Sequence, residues 1–429
     1  MSKNLNTNDG KGCDFLEESL RGCYGSRLKP SEVKNWLVNN IMGNIERDVR
    51  VTLSIMGCAG TSKTSLVKSL ANTPVDWDGK HYDGFKIVDI PLSQIEEMGD
   101  ILGFPVEEIK MKTKNGEEVW IKAVDSLIRS CLDSGYTTDG EQRTIYAPPS
   151  WVPKEERPGV LLFDDGNRAS QRILKGIMQL IQDYKTISWS IPKGWTIVLT
   201  GNPDNRMNQV TSMDTAQLSR MKFVTLVPDA GEWAIWAEDN GIDRRLISFV
   251  LKYPEMMIGP ERTNPRTLAE FGRALRKFKS VGSDSPEWLV EAYASLDDCT
   301  VEALIVFLQS VDVGLVIEPD EILSDYDSVK EKVKKLMSDW KEPRIDIMNV
   351  INERLFARIM SDGYVFEKKH VPNFQSWLLD ENMPNDMSYS LIRRIGASHN
   401  RNSAVFLSGN KKLLDMIRMA FENENVFKK

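Results

Sequence analysis

Apolar residues follow two rhythms along this chain. Short runs made almost wholly of apolar residues, Val51–Met56, Val160–Phe163 and Thr196–Thr200, each give way to small or polar turn residues. Such runs predict strands buried on both faces, as in a parallel sheet covered by helices. Elsewhere apolar residues return every three or four positions, the spacing of a helix with one buried side. Pro30-Ser31-Glu32-Val33 reads as a helix start within a helical stretch from 13 to 45, and Asp229-Ala230-Gly231-Glu232 as another. Strand and helix signals alternate from Val51 to Val227, which predicts an α/β domain; helical signals dominate afterwards. Ser328–Met337 and Asp346–Met360 carry helical spacing, whereas Asn373–Met387 is less regular.

The pattern thins between Asp78 and Pro158. Lys114-Asn115-Gly116-Glu117 there predicts a hairpin turn, and the proline-rich Ala147–Pro153 a loop. The most apolar stretch, Ala303–Val316, is interrupted by Gln309, Ser310 and Asp312, too short and polar for a bilayer span and suited to a buried helix. Met1–Gly12 is polar, which predicts disorder and no signal-peptide core.

Composition narrows the class. The 429 residues, 41% hydrophobic and 27% charged, suit a globular protein of two or three domains. A net charge of −7 argues against a surface built to hold nucleic acid. The basic stretch Arg273–Lys279 shares its spacing with Phe271, Leu275 and Phe278, as a solvated helix face would. Five cysteines without a C-x-x-C pair imply a reduced, cytoplasmic setting and no zinc site; none of His81, His370 and His399 is assigned a catalytic role.

The chemistry begins at Gly57-Cys58-Ala59-Gly60-Thr61-Ser62-Lys63-Thr64, directly after the first predicted strand. Glycines let backbone N–H groups approach phosphates closely, Lys63 would reach the β- and γ-phosphates of a nucleoside triphosphate, and the Thr64 hydroxyl would ligate Mg2+. The second strand delivers Asp164 and Asp165 at its end, Asp164 suited to holding the cation and Asp165 to orienting or deprotonating an attacking water. The third ends in Gly201-Asn202-Pro203, where an amide can touch both the γ-phosphate and that water. Arg220 and Arg266 read either as surface residues or as guanidinium donors to a triphosphate. Cys58 reads either as a thiol-sensitive point in the loop or as a small residue that fits.

In this order the chain resembles the MoxR branch of the AAA+ ATPases. The resemblance rests on Gly57–Thr64, Gly99–Pro105, Leu162–Ala169 with its Asp-x-x-Asn-Arg-Ala stretch, Ile191–Trp195, Gly201–Pro203, Gln217–Arg220 and Asn264–Arg266, spanning roughly residues 45 to 280. It implies an AAA+ P-loop ATPase core, a parallel sheet flanked by helices, with a helical lid and a mainly α-helical C-terminal domain. The segments would be 1–45, a disordered and helical lead; 46–228, the nucleotide-binding domain; 229–282, the lid; and 283–429, the C-terminal domain. It implies ATP and Mg2+ as cofactors, with Gly57, Cys58, Ala59, Gly60, Thr61, Ser62, Lys63 and Thr64 on the nucleotide and Asp164 as Walker B ligand. Asn202 would be sensor 1, Arg220 an arginine finger for a neighbouring subunit, and Arg266 the sensor 2 arginine.

Two positions depart from the family pattern. Ser62 stands where glycine is usual, and Asp165 where the catalytic glutamate is usual, leaving its carboxylate about one methylene short. Arg168 either assists the finger or pins Asp165. The resemblance further implies a homo-oligomeric ring, a hexamer, acting on a protein client such as one with a von Willebrand factor A domain. Three functions are consistent with the residues: an ATP-driven remodelling enzyme, a nucleotide-gated assembly protein with little turnover, and a nucleic-acid motor.

Overall fold

The structure, a computed structural model, describes residues 15–204, 210–278, 286–309, 317–338, 344–398 and 400–407. Two compact units divide the chain, one spanning Ser19–Val227 and the other beginning at Pro228. The expected disorder of residues 1–12 lies outside the described residues.

Eleven strands are described, all in the first unit: β1 (Ser26–Leu28), β2 (Thr52–Met56), β3 (Val75–Trp77), β4 (Lys80–Tyr82), β5 (Lys86–Pro91), β6 (Phe104–Lys112), β7 (Glu118–Lys122), β8 (Gln142–Ala147), β9 (Gly159–Asp164), β10 (Trp195–Gly201) and β11 (Met221–Leu226). Six form one sheet in the order β1-β11-β2-β10-β9-β5, every pair parallel. The three apolar runs of the sequence are β2, β9 and β10, side by side at its centre. Successive side chains along a strand point to opposite faces, and both faces are covered. Val160, Leu162 and Val198 join the helix residues Val33, Leu37 and Ile41 on one side. Leu161, Phe163, Ile197 and Leu199 join Ile173, Leu180 and Ile181 on the other. Truncating any of these fully buried leucines or isoleucines to alanine costs about 2–5 kcal/mol.

Helix Pro30–Arg47 begins where the sequence placed it, with proline in its first turn and the Lys29 N–H donating to Glu32 Oε2 at 2.9 Å. It does not stand apart: Val33, Leu37 and Ile41, one turn apart on one face, are fully buried against the sheet. The preceding β1 extends that sheet at its edge. The thin region holds a second, antiparallel sheet, β7-β6-β8, whose β6–β7 turn is the predicted one, with Gly116 at φ +82°.

The second unit is helical among the described residues, as expected for the region beyond the sheet. Packing does not break at 282. Trp233, Phe249, Leu268 and Phe271 from the expected lid share one buried cluster with Trp288, Leu296, Val301 and Leu304 from beyond it. Helix Asp298–Gln309 occupies the first half of the apolar stretch at 303–316, and residues 310–316 lie outside the described ones. Helices Tyr326–Ser338 and Ile345–Met360 follow the predicted spacing; the irregular 373–387 stretch contains the gap between helices Val371–Leu378 and Asn385–Ala397. Among the described residues no helix is long and apolar enough to cross a membrane.

Candidate nucleotide site

Parallel strands deliver their C-terminal ends to one edge of the sheet. At that edge β2 enters the loop Gly57–Ser62, β9 ends at Asp164, and β10 ends at Gly201 followed by Asn202. Strand β10 lies between the other two, with Gly201 beside Met56 and Leu199 beside Phe163. Asn202 is thereby set between the loop and the paired aspartates.

The contacts follow from that order. Lys63 Nζ donates to Asn202 Oδ1 at 3.1 Å and to the carbonyls of Gly57 and Cys58 at 2.8 and 2.7 Å. Asn202 Nδ2 donates to Asp165 Oδ1 at 3.0 Å, so one amide links the lysine to the second aspartate. Beside them Thr64 Oγ1 donates to Asp164 Oδ1 at 2.7 Å. Lys63 and Asn202 are 7% and 2% exposed. Burial pushes the Lys63 ammonium down to about 8, against the opposing pull of Cys58, Asp165, Cys23 and Asp164.

The residues present fit a magnesium triphosphate. The buried Lys63 ammonium is held by neutral carbonyl and amide oxygens, which an anionic phosphate would outcompete. Thr64 Oγ1 and Asp164 Oδ1 are hard oxygen donors in contact. Among the described residues no group of three His, Cys, Asp or Glu side chains could form a metal cage. A cation shared with phosphates and waters, as Mg2+ prefers, suits such a donor set.

Backbone geometry bears on both departures from the motif. Ser62 lies at φ +65°, ψ +25°, left-handed space that glycine enters freely and serine enters at a cost. Asp165 also lies there, at φ +50°, and aspartate tolerates that region better than most side chains. Cys58 is 6% exposed, its thiol contacts Ser19 Oγ at 2.9 Å, and burial pushes its pKa up, so it is a packed thiol rather than a reactive one.

Two residues without an assigned role complete the cluster. The Thr200 hydroxyl donates to Asp164 Oδ1 at 2.5 Å and accepts the Asp165 N–H at 3.0 Å, tying the first carboxylate to the backbone of the second aspartate. Asn167 grips the Asn202 backbone twice, accepting its N–H at 3.0 Å and donating to its carbonyl at 2.6 Å. Asn167 lies within the Asp-x-x-Asn-Arg-Ala stretch, and that was its signal. The threonine ends an apolar strand, which carries none.

Arg220 lies at the other end of the strands. Arg220 precedes β11, whose first residue Met221 pairs with Thr52 at the start of β2. Five residues at about 3.3 Å each, roughly 16 Å, separate that end of β2 from the phosphate loop. Arg220 donates there to Gln182 Oε1 at 2.6 Å and to the Ala216 carbonyl. Arg168 is exposed, and among the described residues its guanidinium has no bond to Asp165; only its backbone N–H donates, to the Asp165 carbonyl at 2.9 Å. Arg266 belongs to the second unit, exposed in the first turn of helix Pro265–Leu275, whose cap Asn264 accepts its N–H at 3.1 Å.

No protein-family model matches this chain, and no curated protein matches it. Among solved structures, a RuvB variant of Thermotoga maritima aligns at TM-score 0.33 and 13% identity, over 73% of this chain and 86% of that one. Thermotoga maritima RuvB, titled a Holliday junction branch migration motor, aligns at 0.32 and 15%, over 72% and 76%. A putative ATPase from Cytophaga hutchinsonii aligns at 0.27 and 11%, over 93% and 92%. Likeness at that level carries neither fold nor activity from those proteins to this one.

Proposed function

We propose that this chain binds ATP with Mg2+ and hydrolyses it, working as a MoxR-type AAA+ ATPase that remodels or assembles a protein partner. The observation that supports this reading above others is the Lys63–Asn202–Asp165 chain beside the Thr64–Asp164 pair, three contacts at one edge of the sheet. Lys63 would bind the β- and γ-phosphates, and Thr64 and Asp164 would hold Mg2+, whose charge would offset that on the phosphate oxygens. Asp165 accepts the proton of the attacking water, and Asn202, bonded to Asp165, orients that water. Asn167 and Thr200 hold these groups in place.

Arg220, at the opposite end of the strands from its own phosphate loop, has a catalytic role only toward a neighbour's nucleotide. That favours a homo-oligomeric ring; the resemblance implies six subunits and a protein client such as one with a von Willebrand factor A domain. Arg266 is the sensor 2 arginine in this reading.

The test is steady-state ATP hydrolysis with Mg2+ over a range of protein concentrations, with Arg220→Ala alongside. Turnover per subunit that rises with concentration and vanishes in the variant supports a shared site. The short Asp165 carboxylate favours a second reading, a nucleotide-gated assembly protein; tight ATP binding with negligible turnover at every concentration would select it. Stimulation of hydrolysis by DNA or RNA would instead favour a nucleic-acid motor.

A further inference from the structure

We infer that Asp297, which lies beyond the motif-bearing region, is the positioning residue for Arg266. The inference rests on the reading of Arg266 as a nucleotide-sensing arginine.

Asp297 precedes helix Asp298–Gln309, and its carbonyl accepts the Val301 N–H at 3.0 Å, which makes it that helix's cap by position. An aspartate there ordinarily turns its carboxylate onto N–H groups of its own helix. Asp297 turns it onto a different segment. Oδ2 accepts the Thr263 N–H at 2.8 Å, the Arg262 N–H at 3.1 Å and the Glu261 N–H at 3.4 Å, and Oδ1 accepts the Arg262 N–H at 3.1 Å. Thr263 returns the contact, its hydroxyl accepting the Asp297 N–H at 2.9 Å. Asp297 is 5% exposed, and although burial alone would raise its pKa, the three backbone donors hold it below the usual range.

The gripped segment leads directly into the helix that carries Arg266. The Gly259 N–H donates to the Thr263 carbonyl at 2.9 Å, closing the loop, and a Cβ on Gly259 would meet Asp297 Oδ2 at 2.1 Å. On the far side of Thr263, Asn264 caps the helix through the N–H groups of Arg266 and Thr267. Asn264 Nδ2 and Thr267 Oγ1 both donate back to the Arg262 carbonyl at 2.9 Å. Arg262, whose N–H is held by Asp297, is thus bonded on its carbonyl side to the cap and first turn that present Arg266. Among the described residues the Arg266 guanidinium has no partner, so what is fixed here is the backbone from which the side chain departs.

Asp297→Asn keeps the shape, removes the charge and replaces one acceptor oxygen by a donor. Amide hydrogen exchange and ATP hydrolysis are measured on the full chain in wild type, Asp297→Asn, Arg266→Ala and the double variant. The expected result is exchange at least tenfold faster at Arg262, Thr263 and Arg266, with kcat down about tenfold, KM for ATP changed less, and no further loss when Asp297→Asn is added to Arg266→Ala. Unchanged exchange overturns the inference, and so does a kcat loss that adds in full to that of Arg266→Ala, since a purely structural residue would behave so. A wild type without turnover sinks the ATPase reading; the inference is then judged on exchange at the Arg266 N–H. Should Asp297→Asn not fold, Thr263→Val removes the reciprocal hydroxyl, keeps the Thr263 N–H and enters the same cycle.

Discussion

The Thr64 hydroxyl donates to Asp164 Oδ1 at 2.7 Å across 100 residues of sequence. One hydroxyl in the first turn of the helix after the phosphate loop and one carboxylate at the end of β9 lie in contact and would supply two oxygen donors to Mg2+, with waters and phosphates supplying the rest. Asp164→Asn should therefore lower Mg2+-dependent ATP turnover by about 100-fold or more, on the order of 3 kcal/mol of barrier, while ATP affinity falls much less. Turnover equal to wild type at saturating Mg2+ would remove Asp164 from the mechanism.

Burial holds Lys63 near a pKa of about 8. Phosphate beside the ammonium favours its charged form and raises that value. Nucleotide binding should then take up protons between pH 8 and the higher bound value, and affinity should decline as pH rises above about 8. Calorimetric titration of ATP at pH 8.5 in buffers of different ionisation enthalpy reads the uptake directly. Proton release, or a Kd independent of pH from 7 to 9.5, contradicts the assignment.

Ser62 and Asp165 both sit in left-handed backbone space, with opposite consequences for replacing them. Ser62→Gly removes a strain of about 1 kcal/mol and should raise Tm by about 2–4 °C for a unit of this size. Asp165→Glu restores the longer carboxylate and should raise kcat, yet it places a less tolerant residue at φ +50° and should lower Tm slightly. A kcat that does not increase means that carboxylate reach does not limit the rate.

Arg354, 2% exposed, is bonded to Glu318 at 2.9 Å and to Glu238 at 3.4 Å. Its removal leaves Glu238 without its ion pair and Glu318 with only the exposed Arg244, at 3.3 Å. Arg354→Ala should cost about 3–5 kcal/mol, read by chemical denaturation of the full chain. The double change of Glu238 and Glu318 to glutamine in that background should recover part of the loss. A loss below about 1 kcal/mol for Arg354→Ala would mean that solvent reaches both acids.

What the sequence determined is what neighbouring residues carry. A phosphate loop is one contiguous stretch, and a strand buried on both faces is one unbroken apolar run. Gly57–Thr64, Asp164-Asp165 and Asn202 were therefore legible, as were the α/β class, the helix start at Pro30 and the turn at Gly116. The tertiary structure decided what depends on partners far along the chain. Nothing local states that β10 lies between β2 and β9, which lets Asn202 reach Lys63 and Asp165 together. Thr200 and Asn167 each act through a pair of hydrogen bonds that leaves no periodic trace. The stripe Val33-Leu37-Ile41 announces a buried face without naming what covers it, so only packing joined it to the sheet. Asp297 resembles any helix cap until folding sets the 261–263 segment against it, because backbone N–H groups have no side-chain identity for a sequence to display.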